Sequence, residues 1–199
     1  MMNDLFEDSL LLNGHIDFLA DWLPVEESNA LFNRLLSDTR WEQPSLMLYG
    51  KEHPIPRLQS WQGDDEYRYR YSGKDFVSER WPQSLAELAR RISDAADCQF
   101  NSVLINLYRD GHDSMGWHAD DEPELGKEPV IASLSLGATR DFALRPTGST
   151  RQAARIPLTH GSLLIMKAGM QTHWQHSVPR RTRVQDARIN LTFRRLIVP

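Results

Sequence analysis

The chain has 199 residues, 40% of them hydrophobic and 25% charged, a composition that suits one globular domain and excludes disordered, collagen-like and fibrous classes. No apolar run is long enough to cross a bilayer, and the start, MMNDLFEDSLLL, lacks the basic region of a signal peptide. A cytoplasmic location is expected, or a nuclear one in a eukaryotic cell. Cys98 is the single cysteine, so no internal disulfide and no cysteine-based zinc site can form, and any metal must use histidine and carboxylate.

The net charge of −4 hides a strong asymmetry, since residues 139–199 carry eleven basic and two acidic side chains. A polyanion responds to that local +9, not to the average.

In chain order, Pro24 followed by VEESNALFNRLL predicts a helix, with two glutamates in its first turn and Leu31, Phe32, Leu35 and Leu36 at helical spacing. The stretch SLMLYGKEHPIPRLQSWQGDDEYRYRYSG mixes proline, glycine and alternating Tyr/Arg, which suits hairpins and loops. WPQSLAELARRISDAA predicts a second helix with Leu85, Leu88 and Ile92 on one face. Beyond residue 100 the segments VLINLYR, VIASLSL, DFALR, GSLLIMK and ARINLTFRR are short, β-branched or alternating, and separated by turn residues. The prediction is two helices leaning on a β sandwich or barrel.

His118-Ala119-Asp120 puts an imidazole and a carboxylate on the same side of an extended chain. With seven histidines and sixteen aspartates, chance alone supplies roughly half of one such pair, and His15-Ile16-Asp17 repeats the spacing ahead of the first helix. That earlier pair is read as structural. A 2-His-1-carboxylate face leaves open positions on iron, so a distant histidine must complete it; His160, His173 and His176 are candidates, and spacing does not choose among them. His173 and His176 would face opposite ways on one strand.

In Arg188-Ile189-Asn190-Leu191-Thr192-Phe193-Arg194 the polar residues share one face and the apolar residues the other. The apolar face should pack against helices while the polar face lines a cavity. Two enclosed arginines call for anions: one suits the distal carboxylate of a dicarboxylic acid, the other a carboxylate near the metal.

These residues, together with PxPR, YSG, NxVLINLYxDGxDxMGWHxDDE, SLSLGATRDF, HGSLLIM and THWQHSVP, run from about residue 44 to 195 and make the chain resemble the AlkB family of iron(II)- and 2-oxoglutarate-dependent dioxygenases, particularly its branch that repairs alkylated DNA. The resemblance implies an α+β fold with a double-stranded β-helix (jelly-roll) core and flanking N-terminal helices. It implies one domain over 1–199, with 1–43 an N-terminal helical extension and 44–75 a substrate-recognition lid. It selects His176 as the third Fe(II) ligand beside His118 and Asp120, and it assigns Asn106, Tyr108, Arg188, Asn190, Thr192 and Arg194 to 2-oxoglutarate. Asp121 and Glu122 match positions beside the substrate base, Tyr69, Tyr71 and Ser72 match an aromatic lid, and Tyr49 matches a finger that fills the gap left by a flipped base. Arg57, with Lys51, Arg68, Arg70 and the Arg180–Arg183 cluster, is expected to grip phosphates.

The implied reaction consumes 2-oxoglutarate and O2, hydroxylates an N-methyl group of a flipped 1-methyladenine or 3-methylcytosine, and releases formaldehyde. Such bases are cationic, which suits Asp121 and the tyrosine faces. The rivals are the same chemistry on RNA or tRNA, a protein hydroxylase, and a catalytically silent nucleic-acid binder. A monomer without membrane association is expected.

Overall fold

A computed structural model describes residues 14–48, 50–71 and 74–197. Two antiparallel sheets face each other. The larger, in spatial order β1-β13-β10-β15-β8-β4-β7, is built from Ile16–Leu19 (β1), Leu58–Gly63 (β4), Glu79–Arg80 (β7), Ser102–Tyr108 (β8), Ile131–Gly137 (β10), Leu163–Met166 (β13) and Arg188–Arg194 (β15), with one parallel pairing, between β4 and β7. The smaller, in order β12-β11-β14-β9, uses Met115–His118 (β9), Arg140–Pro146 (β11), Ala154–Leu158 (β12) and Trp174–Val178 (β14). Two hairpins, Ser45–Leu48 (β2) with Lys51–Pro54 (β3) and Arg68–Tyr71 (β5) with Lys74–Val77 (β6), form separate two-stranded sheets.

The helices are Val25–Asp38 (α1), Gln83–Ala96 (α2) and the single turn Met170–His173 (α3). Leu31 and Leu35 of α1, and Leu85, Leu88 and Ile92 of α2, pack on the outer face of the large sheet against Ala132, Leu134 and Leu136 of β10 and Ile189, Leu191 and Phe193 of β15. Leu36, grouped by spacing with the apolar stripe of α1, is 41% exposed. It lies about 100° around the helix from Leu35, outside the narrow contact stripe of Ser28, Leu31 and Leu35.

The strict period of two decides what faces inward. On β10 the inward set runs from Ile131, part of a second apolar cluster with Phe142, Leu144, Leu164 and Met166, to Ser133 and Ser135, both buried. The space between the sheets is therefore apolar at one end and polar at the other. That polar end is the cavity.

No helix among the described residues is long and apolar enough to cross a membrane.

Candidate metal centre and cosubstrate cavity

β9 and β14 pair so that His118 stands directly opposite His176. The register shifts between that pair and Val178↔Met115, leaving one extra residue on β9, the kind of bulge that re-aims neighbouring side chains. The two imidazoles meet at 4.2 Å between ring centroids. Asp120 follows two residues after His118, in the turn beyond β9, with Oδ1 3.8 Å from His118 Nε2 and Oδ2 3.9 Å from His176 Nε2. One ligand atom from each of the three lies within 4.8 Å of the others, and no other such group of three occurs among the described residues.

Electrostatics suit a cation. Burial, then the charge of His118, hold the His176 imidazole down to about 3, so it is neutral near pH 7 and keeps a lone pair to offer. Burial alone would raise the Asp120 carboxyl; the charges of Arg194, His118 and His176 overcome it and hold the group below the ordinary carboxylate range. Arg194 Nη2 donates to Asp120 Oδ1 at 2.6 Å.

The other histidine candidates are used elsewhere. His160 Nδ1 accepts the Gly137 N–H at 2.8 Å, and His173 packs against His15 with centroids 5.9 Å apart. His15 Nδ1 is 3.1 Å from the Ala168 carbonyl and Asp17 pairs with Lys167 at 2.7 Å, so both side chains of the earlier His-x-Asp make structural contacts of their own.

The cavity between the sheets is lined by His118, Asp120 and His176 and by Asn106, Tyr108, Asn190, Thr192 and Arg194. Arg188, paired across the ladder with Tyr108, is fully buried. Its Nη2 donates to Ser135 Oγ at 2.9 Å and to Asn190 Oδ1 at 2.6 Å, whereas Nε and Nη1 are buried with no partner. Asn190 in turn accepts from Ser133 Oγ at 3.1 Å and donates to Thr192 Oγ1 at 2.8 Å. Burial pulls the Arg188 guanidinium down to about 10, leaving it cationic at neutral pH. A buried cation with two free donors is costly unless an anion meets it. The donor set thus fits a 2-oxoacid with a second carboxylate, and the triad fits a divalent metal with oxygen and nitrogen preference.

Of the remaining expected residues, Arg57 lines the cavity with Nε donating to Asn106 Oδ1 at 2.9 Å. Asp121 is exposed. Glu122 is partly buried with Oε2 unpartnered, and burial raises its carboxyl against the opposing charge of Arg194. Tyr49 and Ser72 lie outside the described residues, as do the side chains of Tyr69 and Tyr71.

Four positions escaped the reading of the sequence. Ser133 and Ser135 alternate with leucine in IASLSLG, the same signal that exposed the polar face of β15. Arg140, 2% exposed, donates to the backbone carbonyls of Asp110, Asp113 and Pro179, and Gln171 reaches Asp120 from α3; neither long-range contact has a local signature.

Two facing antiparallel sheets around a 2-His-1-carboxylate centre define a double-stranded β-helix metalloprotein of the jelly-roll class. Residues 15–194 match the family model described as the 2OG-Fe(II) oxygenase superfamily. The chain is 38% identical over 200 residues to the human alpha-ketoglutarate-dependent dioxygenase alkB homolog 3, covering 96% of this chain and 70% of that protein. It is 39% identical over 182 residues to the human DNA oxidative demethylase ALKBH2, covering 86% and 70%. The solved structure of OsALKBH1 superposes with a TM-score of 0.68 at 18% identity, covering 91% of this chain and 96% of that one, a likeness of fold. The chain belongs to the 2OG-Fe(II) oxygenase superfamily and, within it, to the AlkB family.

Proposed function

We propose that this protein is an oxidative demethylase that repairs N-alkylated bases in DNA, consuming 2-oxoglutarate and O2 and releasing formaldehyde, succinate and carbon dioxide. The observation that carries the reading is the buried Arg188 fork with two unpartnered donors, one strand pairing away from a cavity that His118, Asp120 and His176 also line. Iron(II), held by that triad, would supply the activation of dioxygen, with 2-oxoglutarate as the co-reductant.

The chain's own residues then bind and orient. Arg188 pairs with the distal carboxylate of 2-oxoglutarate, its fork aimed by Ser135 and Asn190. Asn106 and Tyr108, on the neighbouring strand β8, continue the same wall, with Arg57 holding the Asn106 carboxamide, and Thr192 extends the Asn190 relay. Arg194 keeps Asp120 ionised and oriented. Asp121 and Glu122, directly after the metal carboxylate, favour a cationic base such as 1-methyladenine or 3-methylcytosine over a neutral one. The hairpins β2–β3 and β5–β6, the second of which runs on to Val77, serve as the lid, with Tyr69, Tyr71, Ser72 and Tyr49 as its base-contacting residues. Unpaired damaged bases flip at low cost, which favours lesions over intact pairs.

Arg180 and Arg183 sit in a loop held against residues 110–113 by Gly111 N–H to the Val184 carbonyl at 2.8 Å and Arg181 N–H to the Gly111 carbonyl at 2.8 Å. A rigid basic loop suits phosphate contacts. The protein is read as a monomer working in whichever compartment holds the cell's DNA.

The test is formaldehyde release from oligonucleotides carrying 1-methyladenine or 3-methylcytosine, in single-stranded DNA, duplex DNA and RNA. Turnover on DNA that stops in Arg188→Met at low 2-oxoglutarate is expected. Turnover on RNA alone, or on neither nucleic acid, overturns the assignment.

A further inference from the structure

The three proposed ligands are oriented by different means. His118 Nδ1 lies 2.9 Å from the Gly116 carbonyl on its own strand, and His176 stacks on Phe142 with centroids 4.9 Å apart and planes 27° apart. Asp120 belongs to no strand. Arg194 grips its carboxylate, but a grip on the head group does not set where the backbone of the turn lies.

That backbone is tied from α3. The Asp120 N–H donates to Gln171 Oε1 at 2.9 Å across 51 residues of chain, and the Gln171 amide donates to Met166 Sδ at 3.4 Å. A backbone N–H needs an acceptor, so the carboxamide must turn its oxygen to Asp120 and its nitrogen to the sulfur. Gln171 is 5% exposed, and α3 runs directly into β14, which carries His176. One buried side chain therefore links the turn bearing one ligand to the segment that leads into another.

We propose that Gln171 is a positioning residue of the metal centre, holding the Asp120 turn so that its carboxylate meets both imidazoles. The proposal rests on the triad being the metal site. Without the acceptor, a buried N–H is left unpaired, and the turn must move to satisfy it. Outer partners of metal ligands commonly act in this way, and their loss weakens metal binding roughly 10–100-fold.

Cobalt(II) titration of the metal-free full chain, followed by ligand-field absorption, tests it without turnover. Gln171→Met keeps the length and removes the acceptor; it should weaken cobalt affinity roughly 10–100-fold and shift the absorption bands. Gln171→Glu keeps an acceptor oxygen and should bind at least as tightly as the parent protein. Asp120→Ala should lose the signal. Parent-like affinity and spectrum in Gln171→Met overturn the proposal, as do the same results in the shorter Gln171→Asn should the Met variant not fold. Gln171→Glu binding as weakly as Gln171→Met overturns it too. Parent-like cobalt binding by Asp120→Ala overturns instead the reading of the triad, so the two failures are distinguishable.

Discussion

Arg188 is a buried cation whose placement is costly unless an anion meets it. Its guanidinium is fully buried, lies 5.2 Å from the Tyr108 ring centroid and leaves two donors unmatched. Replacing a buried charge by an apolar side chain of similar length is often neutral or stabilising, whereas removing one half of a buried charge pair costs about 2–5 kcal/mol. Arg188→Met is therefore expected to leave the thermal midpoint of the cosubstrate-free protein unchanged or raised while weakening 2-oxoglutarate binding by roughly 30-fold or more. Calorimetry and cosubstrate titration on one preparation check both halves, and a large loss of stability with unchanged affinity would contradict the role. Asp113 shows the opposite balance. Burial would raise its carboxyl, but the hydrogen bonds from Arg109, at 2.8 Å from both Nε and Nη2, hold it below the usual range. A lowered folded-state value stabilises the fold above the unfolded carboxylate value of about 3.9 and loses that contribution as pH falls through the folded value. Asp113→Asn should cost about 1–3 kcal/mol at pH 7 and flatten the acid limb of a stability-against-pH curve measured by urea unfolding.

Among the elements, the loop that joins β8 to β9 and the loop after β14 act as one unit. Gly111 is the contact point, because a Cβ there would collide with the Arg181 carbonyl oxygen, and Arg140 ties both loops through the carbonyls of Asp110, Asp113 and Pro179. Gly111→Ala should push the loops apart. The expected result is a loss of stability of about 1–3 kcal/mol and weaker oligonucleotide binding, with the KM for 2-oxoglutarate unchanged because β8 and β15 are untouched. Steady-state kinetics with each substrate varied in turn separate the two effects; a rise in the 2-oxoglutarate KM alone would count against the loop's assignment.

Across the whole molecule, the excess positive charge of residues 139–199 divides into two populations. Arg140 and Arg188 are buried and Arg194 is nearly so, Arg181 and Arg155 pair with Asp141, Lys167 pairs with Asp17 and Arg145 lies over the Trp117 ring, and Arg151, Arg180, Arg183 and Arg195 are exposed. Only the exposed arginines can release counterions from a nucleic-acid backbone. Arg180→Ala and Arg183→Ala should each lower the slope of log affinity against log salt by about one, with little change in lesion preference. Fluorescence anisotropy over a salt series measures the slope, and an unaltered slope in the double variant would remove the loop from the interface.

The period of two in β15, the helical stripes of α1 and α2, and the His118-x-Asp120 pair were legible in the residues themselves, because each is a short-range pattern that the backbone geometry reads one way. The β-rich architecture followed from them. Spacing left His160, His173 and His176 equivalent, and motif resemblance was needed to prefer His176; the tertiary structure supplies the physical reason, since β14 pairs with β9 and sets His176 opposite His118. The same limit hid Gln171 and Arg140. Their partners lie tens of residues away along the chain, so no local pattern marks them, and only the packing of α3 against the Asp120 turn, and of β11 against two loops, brings donor and acceptor together.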